Sequence, residues 1–82
     1  MNIVLLTPDS ELFRGQATSV KVPGASGQFE VLTGHASIVS SLSPGEVRII
    51  LTDGSRQSFK ISGGFVEVFN NEVSVLASGV EL

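Results

Sequence analysis

Apolar and polar residues alternate along this chain in short segments, which is the pattern of half-buried β-strands. Val20 and Val22, for example, flank Lys21. The same spacing recurs between turn residues and predicts strands over residues 2–7, 18–22, 28–31, 38–42, 47–52, 58–62, 65–69 and 72–77. No stretch of about 11 residues has the i, i+3, i+4, i+7 spacing of an amphipathic helix. The pattern therefore predicts an all-β chain of about eight to ten short strands, with little or no helix.

Turn signals between the segments indicate how the strands are connected. Asp53-Gly54 and Asn70-Asn71 each lie between two predicted strands, and both pairs are typical of tight hairpins because their residues adopt positive φ at low cost. Gly63-Gly64 also lies between two strands, where we expect a bulge or sharp bend as the chain passes from one sheet to the other. Turn signals at intervals of roughly 8–12 residues predict a sandwich or barrel.

The alternation also predicts which side chains form the core. Residues of one parity on a strand share a face, so the apolar ones are expected to be buried together. The predicted core residues are Val4, Leu6, Val20, Val22, Phe29, Val31, Ile49, Ile61, Val66, Val68, Val73 and Val75. We expect the five Phe residues to serve mainly as core, because they occupy alternating strand positions.

Length and composition indicate a single small domain over residues 1–82. The chain has 11 Val and five Phe against four Ala, a bias toward strand-forming residues. Its formal net charge is −3 and its five Lys and Arg residues are scattered, which argues against nucleic-acid binding. The longest apolar run, Ile3–Leu6, is far shorter than the roughly 20 residues of a membrane-spanning helix. With no signal peptide, we expect a soluble, cytoplasmic, monomeric domain without lipid insertion.

Few side chains of this chain are suited to catalysis or metal binding. It has one His, two Asp and no Cys, and it contains neither an Asp-x-Asp nor a Gly-x-Ser-x-Gly motif. We therefore expect no metal, no cofactor and no enzymatic activity. His35 stands in a loop, where it is either a turn residue bonded to a backbone carbonyl or a contact residue of an interaction edge.

Two stretches carry a more specific signal. Residues 22–36 read VPGASGQFEVLTGHA, and residues 61–68 read ISGGFVEV, followed by Asn71, Val73 and 75–77. Together with the opening strand and Thr7-Pro8-Asp9, they resemble the N-terminal domain of the epsilon subunit of the F-type ATP synthase. The resemblance runs in order from residue 2 to residue 78 and covers nearly the whole chain.

The resemblance implies a flattened sandwich of about ten strands in the central rotor stalk of a proton-translocating ATP synthase. Such a subunit is non-catalytic, binds the gamma subunit and rests on the polar loops of the c-ring. It lies on the cytoplasmic side of the membrane and couples ion flow to ATP synthesis. Gln28, Glu30 and His35 match the segment that faces the c-ring, and Thr7 and Ser40 match positions near gamma.

Three residues of the ring-facing segment depart from the family pattern. Gln28 stands where an acidic residue is common, Glu30 where Gly is frequent, and Thr33 where Pro is common. The negative charge of this segment is therefore expected to come from Glu30.

Many family members continue with an α-helical hairpin that restrains ATP hydrolysis and in some bacteria binds ATP. Residues 79–82 stand where that hairpin would begin, so we expect the β-sandwich domain alone, either as a naturally one-domain subunit or as a truncated form, without inhibitory helices or an ATP site. The alternative is a free-standing β-sandwich module that binds a ligand or carries a modified lysine. Lys21 and Lys60 are the candidates for such a lysine, but both lie inside predicted strands rather than at a hairpin tip.

Overall fold

A computed structural model describes residues 1–81, which form nine β-strands and no helix. The strands are β1 (Asn2–Thr7), β2 (Ser10–Val22), β3 (Phe29–Leu32), β4 (Ile38–Leu42), β5 (Gly45–Leu51), β6 (Arg56–Ile61), β7 (Gly64–Phe69), β8 (Glu72–Ala77) and β9 (Val80–Glu81). The all-β prediction is confirmed, and the number of strands falls in the predicted range. Within these residues no helix has the length and apolarity that crossing a membrane requires.

The strands are hydrogen-bonded along one continuous path, β4-β7-β8-β1-β2-β5-β6-β9, and β3 also pairs with β2. The long strand β2 divides this path into two layers, because its first half pairs with β1 and its second half with β3 and β5. We call β4, β7, β8, β1 and the first half of β2 the front sheet, and β3, the second half of β2, β5, β6 and β9 the back sheet. Buried side chains of both sheets form one core, so the fold is a β-sandwich.

A β-bulge lets β2 serve both sheets. In its pairing with β5, Ala17 lies opposite Leu51 and Ser19 opposite Ile50, so Thr18 is an extra residue. Ala17 is buried before the bulge and Val20 after it, so the buried positions change from odd to even. Because a bulge increases the local twist of a strand, it also turns the second half of β2 into the back sheet.

Gly63 and Gly64 form the predicted bend between the sheets. β6 belongs to the back sheet and β7 to the front sheet, and the two glycines lie where the chain crosses. Their φ values are +127° and +142°, which residues with side chains rarely adopt. The predicted bend is therefore confirmed, and these φ values favour glycine at both positions.

The two predicted hairpins are also confirmed. Asn70 and Asn71 connect β7 to β8 with φ values of +49° and +59°, and Gly54, with φ of +87°, lies in the turn between β5 and β6. The hydroxyl and the backbone N–H of Ser55 donate to Oδ1 of Asp53 over 2.6 and 2.9 Å. The hydroxyl bond and then the amide bond lower the pKa of Asp53, because both favour the charged carboxylate.

The core confirms most of the predicted residues and corrects the phase of β1. Buried as predicted are Val20, Val22, Val31, Ile49, Ile61, Val66, Val68, Val73 and Val75, and Phe29 packs against them half-buried. The prediction of Val4 and Leu6 was wrong: both are only half-buried, and Ile3 and Leu5 face the core instead. Residues 3–6 are all apolar, so their alternation could not show which parity faces inward.

Two of the five Phe residues were also wrongly expected in the core. Phe13, Phe29 and Phe59 pack against it, and the rings of Phe13 and Phe59 have centroids 5.8 Å apart. Phe65 and Phe69 occupy the outward parity of β7 and are 54% and 58% exposed. Their exposure shows that the front sheet has an apolar outer face.

Candidate interaction surfaces

Gln28, Glu30 and His35, the predicted ring-facing residues, lie along one edge of the back sheet. β3 forms this edge because, among the described strands, it pairs with β2 alone. Gln28 precedes the strand, Glu30 lies on it and His35 follows it. Since a strand rises about 3.3 Å per residue, Gln28 lies roughly 13 Å from Leu32, where the turn that carries His35 begins. The structure thus brings the three side chains to one edge but not to one point.

Glu30 is held on this edge by a residue of the neighbouring strand. The hydroxyl of Ser19, which is buried, donates to Oε2 of Glu30 over 2.5 Å. Lys21 lies directly opposite Glu30 in the pairing of β2 with β3. Glu30 is the one carboxylate of residues 28–35, and the bond from Ser19 holds it in place.

A tight turn follows β3 and carries His35. The N–H of His35 donates to the carbonyl of Leu32 over 3.0 Å, and Gly34 has φ of +83°, the value expected at the third position of a type II turn. Nδ1 of His35 lies 2.7 Å from the carbonyl oxygen of Ala36 and must donate to it. His35 is therefore bonded to a backbone carbonyl, yet it is only half-buried and stays accessible to a partner.

Thr7 and Ser40, predicted to lie near gamma, are not neighbours. Thr7 ends β1, and its hydroxyl lies 3.3 Å from a side-chain oxygen of Asp9. Ser40 lies on the edge strand β4, at a half-buried position of the same parity as the buried Leu42. Strands β7 and β8 separate β1 from β4, which corresponds to about 14 Å across the sheet. The two residues can share a partner only if it covers most of the front sheet.

An apolar row crosses the outer face of the front sheet beside Thr7. Leu6 on β1 lies next to Leu76 on β8, which lies next to Phe65 on β7. Leu76 and Phe65 are 47% and 54% exposed. We call these three residues the apolar row. Neighbouring apolar side chains that are exposed together are characteristic of interaction surfaces, and Val39 and Phe69 extend the apolar character of this face.

Sequence reasoning missed this row although the signal was present. On β7 and β8 the inward positions are valines and Ala77, yet Phe65, Phe69 and Leu76 occupy outward positions. Strands that are apolar on both faces are usually covered on both faces. The doubled apolar pattern of this hairpin therefore indicated a partner surface.

The outer face of the back sheet is charged instead. Four of the five cations of the chain lie on its strands, namely Lys21, Arg48, Arg56 and Lys60. A groove across β2, β5 and β6 is lined by Lys21, Arg48 and Arg56 and by two carboxylates, Glu30 and Glu46. Glu46 forms an ion pair with Arg48. Because these groups are well solvated, this face gains little from burial against an apolar partner.

The remaining cation lies at the margin of the front sheet. Nη2 of Arg14 is 2.8 Å from Oε1 of Glu11, and this hydrogen bond lowers the pKa of Glu11 and raises the pKa of Arg14. Both side chains are exposed, so the pair forms a solvated border of the apolar face. Within residues 1–81 no three His, Asp or Glu side chains are grouped closely enough to hold a metal ion.

Comparison with known families finds a similarity over the whole chain. Residues 1–82 match the family described as "ATP synthase, Delta/Epsilon chain, beta-sandwich domain". The ATP synthase epsilon chain of Chlorobium limicola is 42% identical over 76 residues, which are 93% of this chain and 86% of the relative. That of Protochlamydia amoebophila is 40% identical over 77 residues, which are 94% of this chain and 52% of the relative.

Solved structures share the fold. A chain of the Euglena gracilis mitochondrial ATP synthase, in a cryo-EM structure of OSCP, F1 and the c-ring, aligns with a TM-score of 0.88 and 25% identity over 96% of this chain. A chain from the central stalk and c-ring of the Tetrahymena thermophila mitochondrial ATP synthase aligns with a TM-score of 0.84 and 18% identity over 99% of this chain. The described chain spans 51% of the Euglena chain and 65% of the Tetrahymena chain.

Proposed function

Since the chain belongs to the ATP synthase delta/epsilon family, as its β-sandwich domain, we propose that it docks the gamma subunit to the c-ring in the central stalk. In this role it has no catalytic activity of its own and helps to couple proton flow to ATP synthesis. It acts on the cytoplasmic side of the energy-transducing membrane. The Euglena complex that contains a chain of the same fold includes F1 and the c-ring, which supports this placement.

The apolar row of the front sheet is the observation that carries the proposal. Leu76 and Phe65 keep about half of their surface in water in the isolated chain, which costs free energy that a partner would recover. Completing the burial of two such side chains contributes on the order of 2 kcal/mol. The charged outer face of the back sheet offers no comparable gain. We therefore assign gamma to the front sheet.

Thr7 and Ser40 fit this assignment to different degrees. Thr7 and Pro8 line a shallow groove together with Phe65 and Leu76, so a partner on the apolar row would contact Thr7. Ser40 lies at the edge of the same sheet, where we propose the margin of the gamma contact. An interface that holds under torque is expected to bury more than about 1,000 Å². The gamma interface must then extend across the front sheet.

The edge formed by β3 is proposed to face the polar loops of the c-ring. Gln28 and Glu30 are exposed and His35 is half-buried, so polar groups of this edge are available to a partner. An exposed ion pair contributes only about 0–1 kcal/mol, which makes a strong contact here unnecessary for assembly. The gamma contact would then provide the affinity, and the ring contact would set the orientation.

Two leucines of similar exposure give the test. Leu76 belongs to the apolar row and is 47% exposed, whereas Leu32 lies at the end of β3 and is 51% exposed. We expect Leu76→Ser to weaken gamma binding about tenfold or more, and Leu32→Ser to leave it nearly unchanged. Co-purification with gamma and a binding titration measure both, and circular dichroism checks the fold. A larger loss with Leu32→Ser would place gamma on the other side of the sandwich.

The alternative function, a carrier module, makes a different prediction. A modified lysine would add mass to Lys21 or Lys60, which intact-protein mass spectrometry detects. Such an increment, together with no binding of gamma, would contradict the rotor assignment.

A further inference from the structure

The side chain of Asn71 bonds the turn after β3 to the front sheet. Its Oδ1 accepts a hydrogen bond from the backbone N–H of Gly34 over 2.7 Å, across 37 positions of the sequence. Its carbonyl oxygen accepts the N–H of Asn2, at the start of β1, over 2.8 Å. One residue of the β7–β8 turn thus holds β1 and the Leu32–His35 turn together.

Turn formation alone does not require an asparagine at this position. Asn70 and Asn71 both have positive φ, which glycine adopts at lower conformational cost. Within the described chain the Asn70 side chain makes no hydrogen bond to another residue, whereas that of Asn71 bonds Gly34. The amide group of Asn71 therefore has a use beyond the turn in which it lies.

The Leu32–His35 turn has few other supports. Residues 33–37 lie between β3 and β4, and four of these five are exposed. Thr33 occupies the second position of the turn, where a proline would restrict φ but a threonine does not. Among the hydrogen bonds that residues 33–37 make in the described chain, the bond to Asn71 is the one that reaches the front sheet.

We propose that Asn71 is a positioning residue that determines where His35 meets the c-ring. This inference rests on the proposed function, in which His35 faces the ring and the apolar row faces gamma. Asn71 immediately precedes β8, which carries Leu76 of the apolar row. Besides the chain itself, which enters β4 at Ile38, the bond to Asn71 gives the His35 turn a direct connection to β8, the strand that carries Leu76.

Amide hydrogen exchange of the isolated chain tests the first part of this proposal. Asn71→Gly keeps a residue suited to positive φ but removes the acceptor, and we expect the Gly34 amide to exchange about two- to tenfold faster. Asn71→Asp keeps an acceptor oxygen and is expected to restore slow exchange. Asn70→Gly is the matched control and should leave Gly34 unchanged. Unchanged exchange in Asn71→Gly, or equal acceleration in Asn70→Gly, would overturn the proposal.

The denaturation midpoint of each variant separates positioning from a general loss of stability. We expect the midpoint of Asn71→Gly to stay near that of the wild type while Gly34 exchange rises. If glycine itself destabilises the hairpin, Asn70→Gly in the same turn measures that cost, and the acceleration at Gly34 that exceeds it in Asn71→Gly reports the lost acceptor. Acceleration spread over all amides would contradict a specific role of Asn71.

The assembled ATP synthase tests the second part. A His35→Cys variant is cross-linked to the ring loops, with and without Asn71→Gly, and ATP synthesis is measured separately in chains that keep His35. We expect Asn71→Gly to lower the cross-linking yield and proton-driven ATP synthesis, Asn71→Asp to restore both, and gamma to co-purify in all cases. Unchanged cross-linking and synthesis would overturn the positioning role. Failure of the otherwise wild-type chain to bind gamma would contradict the proposed function instead, and Gly34 exchange would still decide whether Asn71 holds the turn.

Discussion

The backbone of Gly64 lies so close to Leu76 that a Cβ atom at residue 64 would be 2.0 Å from the carbonyl oxygen of Leu76. Gly64 begins β7, directly after the chain has crossed from the back sheet to the front sheet. Its φ of +142° adds a second reason for glycine at this position. Leu76 belongs to the apolar row. The close backbone contact with Gly64 therefore also positions a residue of the surface that we propose for gamma.

We expect Gly64→Val to destabilise the fold by more than about 1 kcal/mol, since it adds backbone strain and a steric clash. Chemical denaturation of the isolated chain measures this. Gly27→Val is a suitable control, because Gly27 has φ of +134° but no atom within 4 Å of its Cβ position. An equal cost in both variants would assign the effect to backbone strain alone. Normal stability of Gly64→Val with loss of gamma binding would place Gly64 in the interface.

Truncation of the core is expected to be costly in both sheets. Val22 in the back sheet and Val75 in the front sheet are fully buried. Val22→Ala and Val75→Ala should each lower the free energy of unfolding by about 2–4 kcal/mol, because the cavity left behind adds to the lost apolar burial. Val39→Ala, at a position that is 69% exposed, is the control and should cost little. Near-wild-type midpoints for both core variants would contradict this core assignment.

The turn between β5 and β6 has a predicted pH dependence. Hydrogen bonds from Ser55 lower the pKa of Asp53 in the folded chain. Such a carboxyl adds stability above its unfolded pKa of about 3.9, and this stability is lost as the pH falls through the lower folded pKa. Ser55→Ala should raise the pKa of Asp53 toward its usual value in an NMR titration, whereas Ser58→Ala should not. A Ser55→Ala titration that matches the wild type would show that Ser55 does not stabilise the carboxylate.

The edge formed by β3, which we propose to face the c-ring, is expected to matter for coupling rather than for folding. Glu30→Gln combined with His35→Ala should leave the isolated fold and gamma binding nearly intact, because exposed polar contacts contribute only about 0–1 kcal/mol each. Proton-driven ATP synthesis in reconstituted vesicles should fall. Glu81→Gln removes a carboxylate from the opposite edge of the back sheet and is the control. Unchanged synthesis and ring cross-linking would remove both residues from the mechanism, and loss of gamma binding would mean that the domain is oriented the other way.

Local sequence features account for much of the fold. Asp53-Gly54 and Asn70-Asn71 form the predicted hairpins, because a tight turn needs residues that accept positive φ and this depends on residue type. Val66 and Val75 face inward as predicted, because polar neighbours on the same strands mark which parity is exposed. The VPG and SGGF motifs likewise pointed to the family that the comparison shows.

The candidate interaction surfaces could be predicted from the sequence only in part. The motif around His35 indicated the edge formed by β3, but the apolar row appears only when Leu6, Leu76 and Phe65 are brought side by side by strand pairing. The bond between Asn71 and Gly34 likewise joins two turns that no local pattern connects.

Turn positions and the parity of strands with polar neighbours depend on residues that are adjacent in the chain, so they can be predicted from the sequence. The phase of β1 could not be predicted in this way, because residues 3–6 are all apolar and either face could have been buried. Pairing with β8, about 70 residues away, and with β2 decides that Leu5 enters the core and Leu6 joins the outer face. Exposure of a face depends on which distant strands meet, and that is a property of the tertiary structure.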